Sequence, residues 1–232
     1  MTTWTLKLDK QDTTEARKHL FELLSSASSS YNVPTPVNIR NTQRIPVQQK
    51  LLILGDSHAR HIYREVSARV PSTTLVTSVC KPNAPLGQIL KDLETWTSAF
   101  GENDFVFIIG GTNDIDTHTK RFSKYNILKH LKTVKETSSR TNVIFLSTLY
   151  RYDMLHLNQS IFNLNCFINK TLPFTVEANL NRRDYTRHGL HLTAKGKSKV
   201  GEFLVSVVHN VMENRCLQTA KPPVAINTHN DT

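Results

Sequence analysis

The sequence of 232 residues is poor in cysteine and has no long apolar run. Its three cysteines are too few and too widely spaced for a disulfide framework or a zinc site. No apolar run approaches the roughly 20 residues that cross a membrane. Residues 1–10 also lack the basic and then apolar design of a secretory signal peptide. We therefore expect an intracellular protein, cytoplasmic or nuclear, with no membrane segment.

Negative charge is scarce as well, since 19 acidic residues face 29 lysines and arginines and the formal net charge is +10. The excess is concentrated in residues 120–140 and 182–199. Basic segments of this kind attract phosphates or an anionic substrate. The alternative for each segment is a solvated helix face. In the second segment, the candidates for binding anions or nucleic acid are Arg182, Arg183, Arg187 and Lys195.

Composition divides the chain into three parts. Residues 1–50 predict an appendage, with a short capped helix over Ala16–Leu24 and then a linker rich in proline and serine. Residues 51–215 alternate between strand and helix patterns and predict one α/β domain. Residues 216–232 are polar, contain two adjacent prolines and predict a disordered tail.

The alternation in residues 51–215 predicts a three-layer α/β/α sandwich of the flavodoxin-like type, with a five-stranded parallel sheet in the order 2-1-3-4-5. The uniformly apolar third strand indicates a central position. The predicted strands are Leu51–Leu54, Thr74–Val79, Phe105–Ile109, Val143–Leu149 and Phe174–Ala178. The predicted helices run from Ser57 to about Val70 and over about Leu86–Phe100, Arg121–Ser138, Asn158–Lys170 and Ala194–Glu213.

The first strand ends in Gly55-Asp56-Ser57. A serine at the carboxyl end of a parallel strand stands at the rim where α/β folds collect their chemistry. It also stands at the start of the next helix, where unpaired backbone N–H groups favour negative charge. This position suits a serine that attacks a carbonyl and leaves an oxyanion. The alternative is an ordinary turn in which Asp56 or Ser57 only caps the helix.

Other polar groups lie in loops that share this rim. Asn113 can offer its side-chain N–H to an oxyanion, and Ser57 and Asn83 can offer backbone N–H groups. A nucleophilic serine also needs a base. His188 and His191 lie in the loop before the last helix, and this loop can fold back over the rim. The alternative for His191 alone is a solvent-exposed loop histidine. His58 and His61 follow the serine, and we interpret them as surface or supporting residues.

Three blocks together resemble the SGNH, or GDSL-type, hydrolase superfamily: Gly55-Asp56-Ser57, Gly111-Thr112-Asn113-Asp114 and His191-Leu192-Thr193-Ala194-Lys195-Gly196. The resemblance implies a nucleophile in the first block, an oxyanion-hole asparagine in the second and a histidine base in the third. Residues 81–84, 150–153 and 185–191 are more narrowly similar to SGNH-type domains of arthropod sequences and to the esterase region of non-LTR retroelements. That similarity suggests nucleic acid as a partner.

Two positions depart from the family pattern. Asn83 stands where the family has a glycine that supplies an oxyanion N–H, and the backbone N–H survives this change. His188 stands where the family has an aspartate three residues before the histidine. That acid holds the imidazole in the right tautomer and stabilises its charge, and its loss costs about 10⁴ in rate. Asp184 or a backbone carbonyl are the alternatives for orienting His191.

The sequence therefore predicts a serine esterase that hydrolyses small acyl esters, acetyl esters among them, through an acyl-enzyme. Ser57 attacks and His191 moves the proton. His188 stands in the position of the missing acid, and Asp184 or a backbone carbonyl orients His191. Ser57, Asn83 and Asn113 hold the oxyanion, and no metal or organic cofactor is implied. The alternative is a catalytically weak or inactive SGNH-like module that binds RNA or a protein partner. His188 and the basic segments favour that alternative.

Overall fold

The computed structural model describes the backbone of residues 49–219 and the side chains of residues 49–215. The helix predicted over Ala16–Leu24 and the linker after it lie outside the described residues. The last helix continues to Thr219, so it is longer than the sequence pattern predicts. The proposed division of the chain at residues 50 and 215 stays a prediction.

Five parallel strands form one sheet in the order β2-β1-β3-β4-β5, which confirms the predicted topology. β3 pairs with β1 on one side and β4 on the other, and its side chains are buried along its whole length because both faces of the sheet are covered. β4 and β5 are shorter than predicted. The strands are β1 Lys50–Gly55, β2 Leu75–Cys80, β3 Phe105–Ile109, β4 Asn142–Leu146 and β5 Thr175–Val176.

Helices connect the strands and cover both faces of the sheet. The helix predicted from Ser57 to Val70 is divided, because His61 adopts a left-handed conformation (φ 69°) between a 3₁₀ turn at Ser57–Ala59 and the first α-helix. The helix predicted over Leu86–Phe100 is also divided. The α-helices are α1 Ile62–Ser67, α2 Leu86–Ile89, α3 Leu93–Trp96, α4 Lys124–Thr137, α5 Asn158–Thr171 and α6 Ala194–Thr219. None of these described helices combines the length and apolarity that crossing a membrane requires.

The apolar core lies on both faces of the sheet, since successive side chains of a strand point in opposite directions. One face packs against α2, α3, α4 and α5, and the other packs against α1 and α6. This is the predicted three-layer arrangement. The strand residues on the first face include Leu52, Leu54, Val106, Ile108, Val143 and Phe145, and those on the second include Leu51, Ile53, Phe105, Phe107, Ile144 and Leu146.

Gly55 ends β1 at a point where the chain passes very close to its neighbours. A Cβ at this position would meet the carbonyl oxygen of Ile109 and would lie 2.7 Å from the Cβ of Ala59. The backbone oxygen belongs to the buried central strand and cannot move aside cheaply. A glycine therefore lets the turn that carries Ser57 lie against the end of β3.

We expect Gly55→Ala to lower the free energy of unfolding by about 1–3 kcal/mol, the usual cost of forcing extra volume into a packed core. Urea unfolding followed by circular dichroism measures the effect. Gly101→Ala is the matched control, because a Cβ at Gly101 has no heavy atom within 4 Å. Equal urea midpoints for the two variants would contradict this view of the turn.

Candidate active site

Three loops meet at the carboxyl edge of the sheet because their strands are neighbours in register. Gly55 of β1 pairs with Cys80 of β2 and with Ile109 of β3. The Asp56 N–H donates to the Ile109 carbonyl (3.1 Å), and the Lys81 N–H donates to the Gly55 carbonyl (2.8 Å). The loops that carry Ser57, Asn83 and Asn113 therefore leave the sheet side by side, as the sequence predicts.

The Asp56 carboxylate is fully buried and organises the turn that carries Ser57. Its Oδ1 accepts the backbone N–H of His58 (2.9 Å) and lies 3.0 Å from the His58 Nδ1. Its Oδ2 accepts the side-chain N–H of Asn113 (3.1 Å). Asp56 thus caps the 3₁₀ turn, which is the role that the alternative interpretation gave it. Ser57 stands half-buried at the start of that turn.

The two asparagines of the predicted oxyanion hole differ in their surroundings. The Asn113 Nδ2 donates to Asp56 and also to the carbonyl oxygen of Ala84 (3.2 Å). Both of its hydrogens therefore have protein acceptors. Asn83 is exposed and adopts a left-handed backbone (φ 59°). Asparagine tolerates this region better than most residues, so its side chain is compatible with the backbone at this position.

Asp114 is a half-buried carboxyl beside these groups, and its role was not predicted from the sequence. Its Oδ2 accepts the backbone N–H of Leu86 at the start of α2 (2.9 Å). Burial raises the pKa of Asp114 to about 6, while the Leu86 N–H acts in the opposite direction and the nearby charge of Asp56 adds to the rise. Asp114 therefore fastens the loop after β3 to the first turn of α2.

A narrow hairpin places His191 before α6. Tyr185 and Leu192 form an antiparallel bridge, and the Thr186 N–H donates to the His191 carbonyl (2.7 Å). Gly189 makes the reversal with a left-handed backbone (φ 81°), and its carbonyl accepts the Tyr152 N–H (2.9 Å). The loop after β4 thereby supports the tip of the hairpin.

The His191 side chain is exposed, and its ring centroid lies 5.9 Å from that of His58. Partial burial lowers the pKa of His191 below its ordinary value. The positive charges of His58 and Arg60 lower it further, and the charge of Asp56 opposes them. The structure thus brings His191 to the side of the Ser57 turn, and it favours the neutral form that a general base needs.

His58 is 5% exposed, which excludes the surface alternative for this residue and leaves the supporting one. Its ring lies between the Asp56 carboxylate and the carbonyl oxygen of Leu190, which is 3.0 Å from Nε2. Hydrogen-bonding partners on both sides of the ring offset the free-energy cost of burying it. The Asp-x-His spacing was visible in the sequence, but the contact to Leu190, 132 positions away, was not.

Asp184 is engaged away from His191. Its buried Oδ2 accepts the Asn181 N–H (2.9 Å) and the Lys199 ammonium of α6 (2.8 Å). Burial acts to raise the pKa of Asp184, but the hydrogen bonds from Lys199 and Asn181 outweigh it and the pKa is lowered. His188 is exposed. Within residues 49–215, no carboxylate hydrogen-bonds to the His191 ring.

The four basic candidates surround the same hairpin. The Arg182 guanidinium donates to the carbonyls of Thr186 (2.8 Å) and Arg187 (2.7 Å) and lies over the Tyr152 ring at 5.6 Å. Arg182 therefore stabilises the hairpin. The other three side chains, those of Arg183, Arg187 and Lys195, are exposed and place positive charge in and next to the hairpin segment.

The residues that the structure describes include no group of three or more His, Cys, Asp or Glu side chains placed to hold a metal ion. His58 and His191 form a pair of neighbouring imidazoles. Both ring nitrogens of His58 already face protein oxygens.

Comparison with known proteins identifies the fold. No family model matches the chain, and no curated protein matches it in sequence. A GDSL-like lipase from Bacteroides thetaiotaomicron is 15% identical, with a TM-score of 0.57 over 84% of this chain and 98% of that one. A putative platelet activating factor from Streptococcus pneumonia is 19% identical, with a TM-score of 0.54 over 72% and 86%. A Clostridium thermocellum family 3 carbohydrate esterase is 14% identical, with a TM-score of 0.53 over 70% and 98%. The chain has the fold of these GDSL-type lipases and carbohydrate esterases.

We expect Asp184→Asn to lower the free energy of unfolding at pH 7 by about 1–3 kcal/mol, because it removes the charged partner of Lys199 in a buried site. The folded-state pKa of Asp184 lies below its ordinary 3.8, so its contribution is present above about pH 4 and is lost as the pH falls through the folded-state value. Urea unfolding at pH 7 and at about pH 3 tests this.

The control for this prediction is Glu202→Gln, which removes one exposed negative charge from α6, the helix that carries Lys199. It should leave the urea midpoint nearly unchanged at both pH values. A deficit of Asp184→Asn that is the same at low and neutral pH would contradict the assigned role of the carboxylate.

Proposed function

We propose that the protein is a serine esterase that hydrolyses small acyl esters, acetyl esters among them, through a covalent acyl-enzyme. The observation that carries this proposal is the convergence of the Ser57 turn, the Asn113 loop and the His191 hairpin at the carboxyl edge of a GDSL-type fold. The resemblance of the three sequence blocks supports the same conclusion. The narrower similarity to arthropod and retroelement-associated domains is part of the proposal.

The proposed reaction has two halves. The Ser57 hydroxyl attacks the acyl carbon while His191 takes its proton, and the tetrahedral intermediate collapses when His191 protonates the departing alcohol. Water then attacks the acyl-enzyme, again with His191 as the base, and Ser57 is regenerated. The lowered pKa of His191 keeps the ring neutral at pH 7, so it is ready to accept the first proton.

The developing oxyanion faces the backbone N–H groups of Ser57 and Asn83 and the side chain of Asn113. Because the Asn113 amide already donates to Asp56 and Ala84, the oxyanion must compete for one of these hydrogens. The hydrogen bond to Ala84 is the longer of the two, and its acceptor is a neutral carbonyl oxygen. It is the one that a negatively charged oxygen displaces. A single oxyanion donor contributes roughly 10²–10³ in rate.

The purified full chain should hydrolyse 4-nitrophenyl acetate, and a fluorophosphonate probe should label Ser57. Ser57→Ala should reduce turnover to background and abolish labelling, because the proposed acyl-enzyme forms on the Ser57 hydroxyl. Ser139→Ala is the control, since Ser139 is an exposed serine just beyond α4. It should behave as the wild type does.

Background turnover and absent labelling in the wild type would overturn the esterase proposal. They would favour the second candidate, a module of this fold that binds RNA or a protein partner. Three observations favour that candidate: His191 has no carboxylate partner in the described chain, the Asn113 amide is engaged, and exposed basic side chains surround the hairpin. Salt-sensitive RNA binding that Arg183→Ala and Lys195→Ala weaken would support it.

His188→Asp should increase kcat by an amount on the order of 10²–10⁴, because it places a carboxylate where the family has one to hold the base and stabilise its charge. A nearby carboxylate also raises the pKa of a histidine, so the acid limb of kcat/KM should move to higher pH. His188→Asn is the matched control with the same shape and no charge. A large loss of kcat from both variants would mean that His188 itself takes part in the chemistry.

A further inference from the structure

His58 is a buried titratable residue to which the proposed reaction gives no role. It follows Ser57 directly and lies on the 3₁₀ turn that Asp56 caps. Its ring is held between two oxygens: Asp56 Oδ1 at 3.0 Å from Nδ1, and the carbonyl oxygen of Leu190 at 3.0 Å from Nε2. The two oxygens belong to different parts of the site, since Asp56 ends the nucleophile turn and Leu190 immediately precedes His191.

Both partners of the His58 ring are acceptors. A backbone carbonyl can only accept, and every other polar contact of the Asp56 carboxylate is with an N–H, from the His58 backbone and the Asn113 side chain. Together the two ring contacts require two hydrogens, one between Nδ1 and Asp56 Oδ1 and one between Nε2 and the Leu190 oxygen. When Asp56 is the carboxylate that accepts these N–H groups, both hydrogens are on the ring, and a neutral imidazole would leave a lone pair facing an oxygen lone pair.

The His58 bridge joins the two elements that must meet in catalysis. The His191 hairpin is closed by its own bonds and is supported at its tip by Tyr152. These contacts shape the hairpin, but they do not connect it to the Ser57 turn. The contact from His58 to the Leu190 carbonyl makes that connection, one residue from each reacting side chain. With Asp184 bonded to Lys199, no carboxylate among the described side chains performs this task.

We propose that His58 is a positioning residue which, as an imidazolium paired with Asp56, ties the Leu190 carbonyl to the nucleophile turn and so sets the distance between His191 and Ser57. This inference rests on the proposed esterase function. Of the two functions of the missing acid, the His58 bridge supplies only one, which is the placement of His191 as the base. The positive charge of the ring acts against a charged His191, with Arg60 on the same side and Asp56 opposing both.

Two substitutions separate the halves of the bridge. In His58→Gln the side-chain amide nitrogen occupies the place of Nε2 and keeps the bond to Leu190, whereas in His58→Asn it occupies the place of Nδ1 and keeps only the bond to Asp56. We expect kcat to fall on the order of 10²-fold in His58→Asn, since small misplacements of a reacting group cost this much. It should fall clearly less in His58→Gln, with KM little changed in both.

His61→Asn is the control, because His61 is exposed in the same segment and its left-handed backbone suits asparagine. It should retain wild-type kcat, and thermal unfolding monitors the folding of all three variants. Equal losses in His58→Asn and His58→Gln, or the reverse order, would mean that His58 acts only through Asp56 and would overturn the proposal.

A long-range ¹H–¹⁵N correlation spectrum of the wild-type chain at pH 7 tests the bridge without reference to activity. We expect both ring nitrogens of His58 to carry hydrogen, and the His58→Asn spectrum assigns the signals. A ring with one unprotonated nitrogen would overturn the bridge even in an active enzyme. A doubly protonated ring in a protein without esterase activity would support the bridge and overturn the proposed function together with the catalytic consequence.

Discussion

The site depends on a single buried carboxylate at the end of the first strand. Asp56 has no exposed surface, and an unpaired charge in such a place costs several kcal/mol. Its oxygens must therefore be satisfied, and the groups that satisfy them come from His58 and from the Asn113 loop. Meeting this requirement shapes the turn that carries Ser57 and draws the Asn113 loop toward it. The close passage at Gly55 then holds the turn against the central strand.

Three carboxyl groups, two buried and one half-buried, lie around the rim and its hairpin, and each accepts hydrogen bonds from the surrounding protein. Asp56 caps the nucleophile turn, Asp114 accepts the first N–H of α2, and Asp184 pairs with Lys199 of α6. Freeing Asp184 for His191 would leave the Lys199 ammonium without its carboxylate and the Asn181 N–H without its acceptor. The local energetics therefore oppose its use as the triad acid, whatever its distance along the chain.

The sequence predicted what depends on local pattern and missed what depends on distant partners. The apolar run of β3 was predicted with its observed bounds, and the strand order follows from parallel connections. The break at His61 was missed because it reflects a backbone conformation that the helical pattern conceals. The burial of His58 depends on the Leu190 carbonyl, and the engagement of Asp184 depends on Lys199. Neither pairing leaves a periodic signal.

The groups around His191 favour one step of the proposed reaction and oppose another. Partial burial and the charges of His58 and Arg60 keep the ring neutral at pH 7, which favours removal of the serine proton. The same burial and charges destabilise the His191 imidazolium, which in the proposed reaction must persist as long as the tetrahedral intermediate does. In a triad, the carboxylate resolves this conflict by stabilising the charge after the transfer. Among the residues that the structure describes, only Asp56 acts in that sense. The proposed esterase would therefore place its base without fully stabilising the charge that the base acquires.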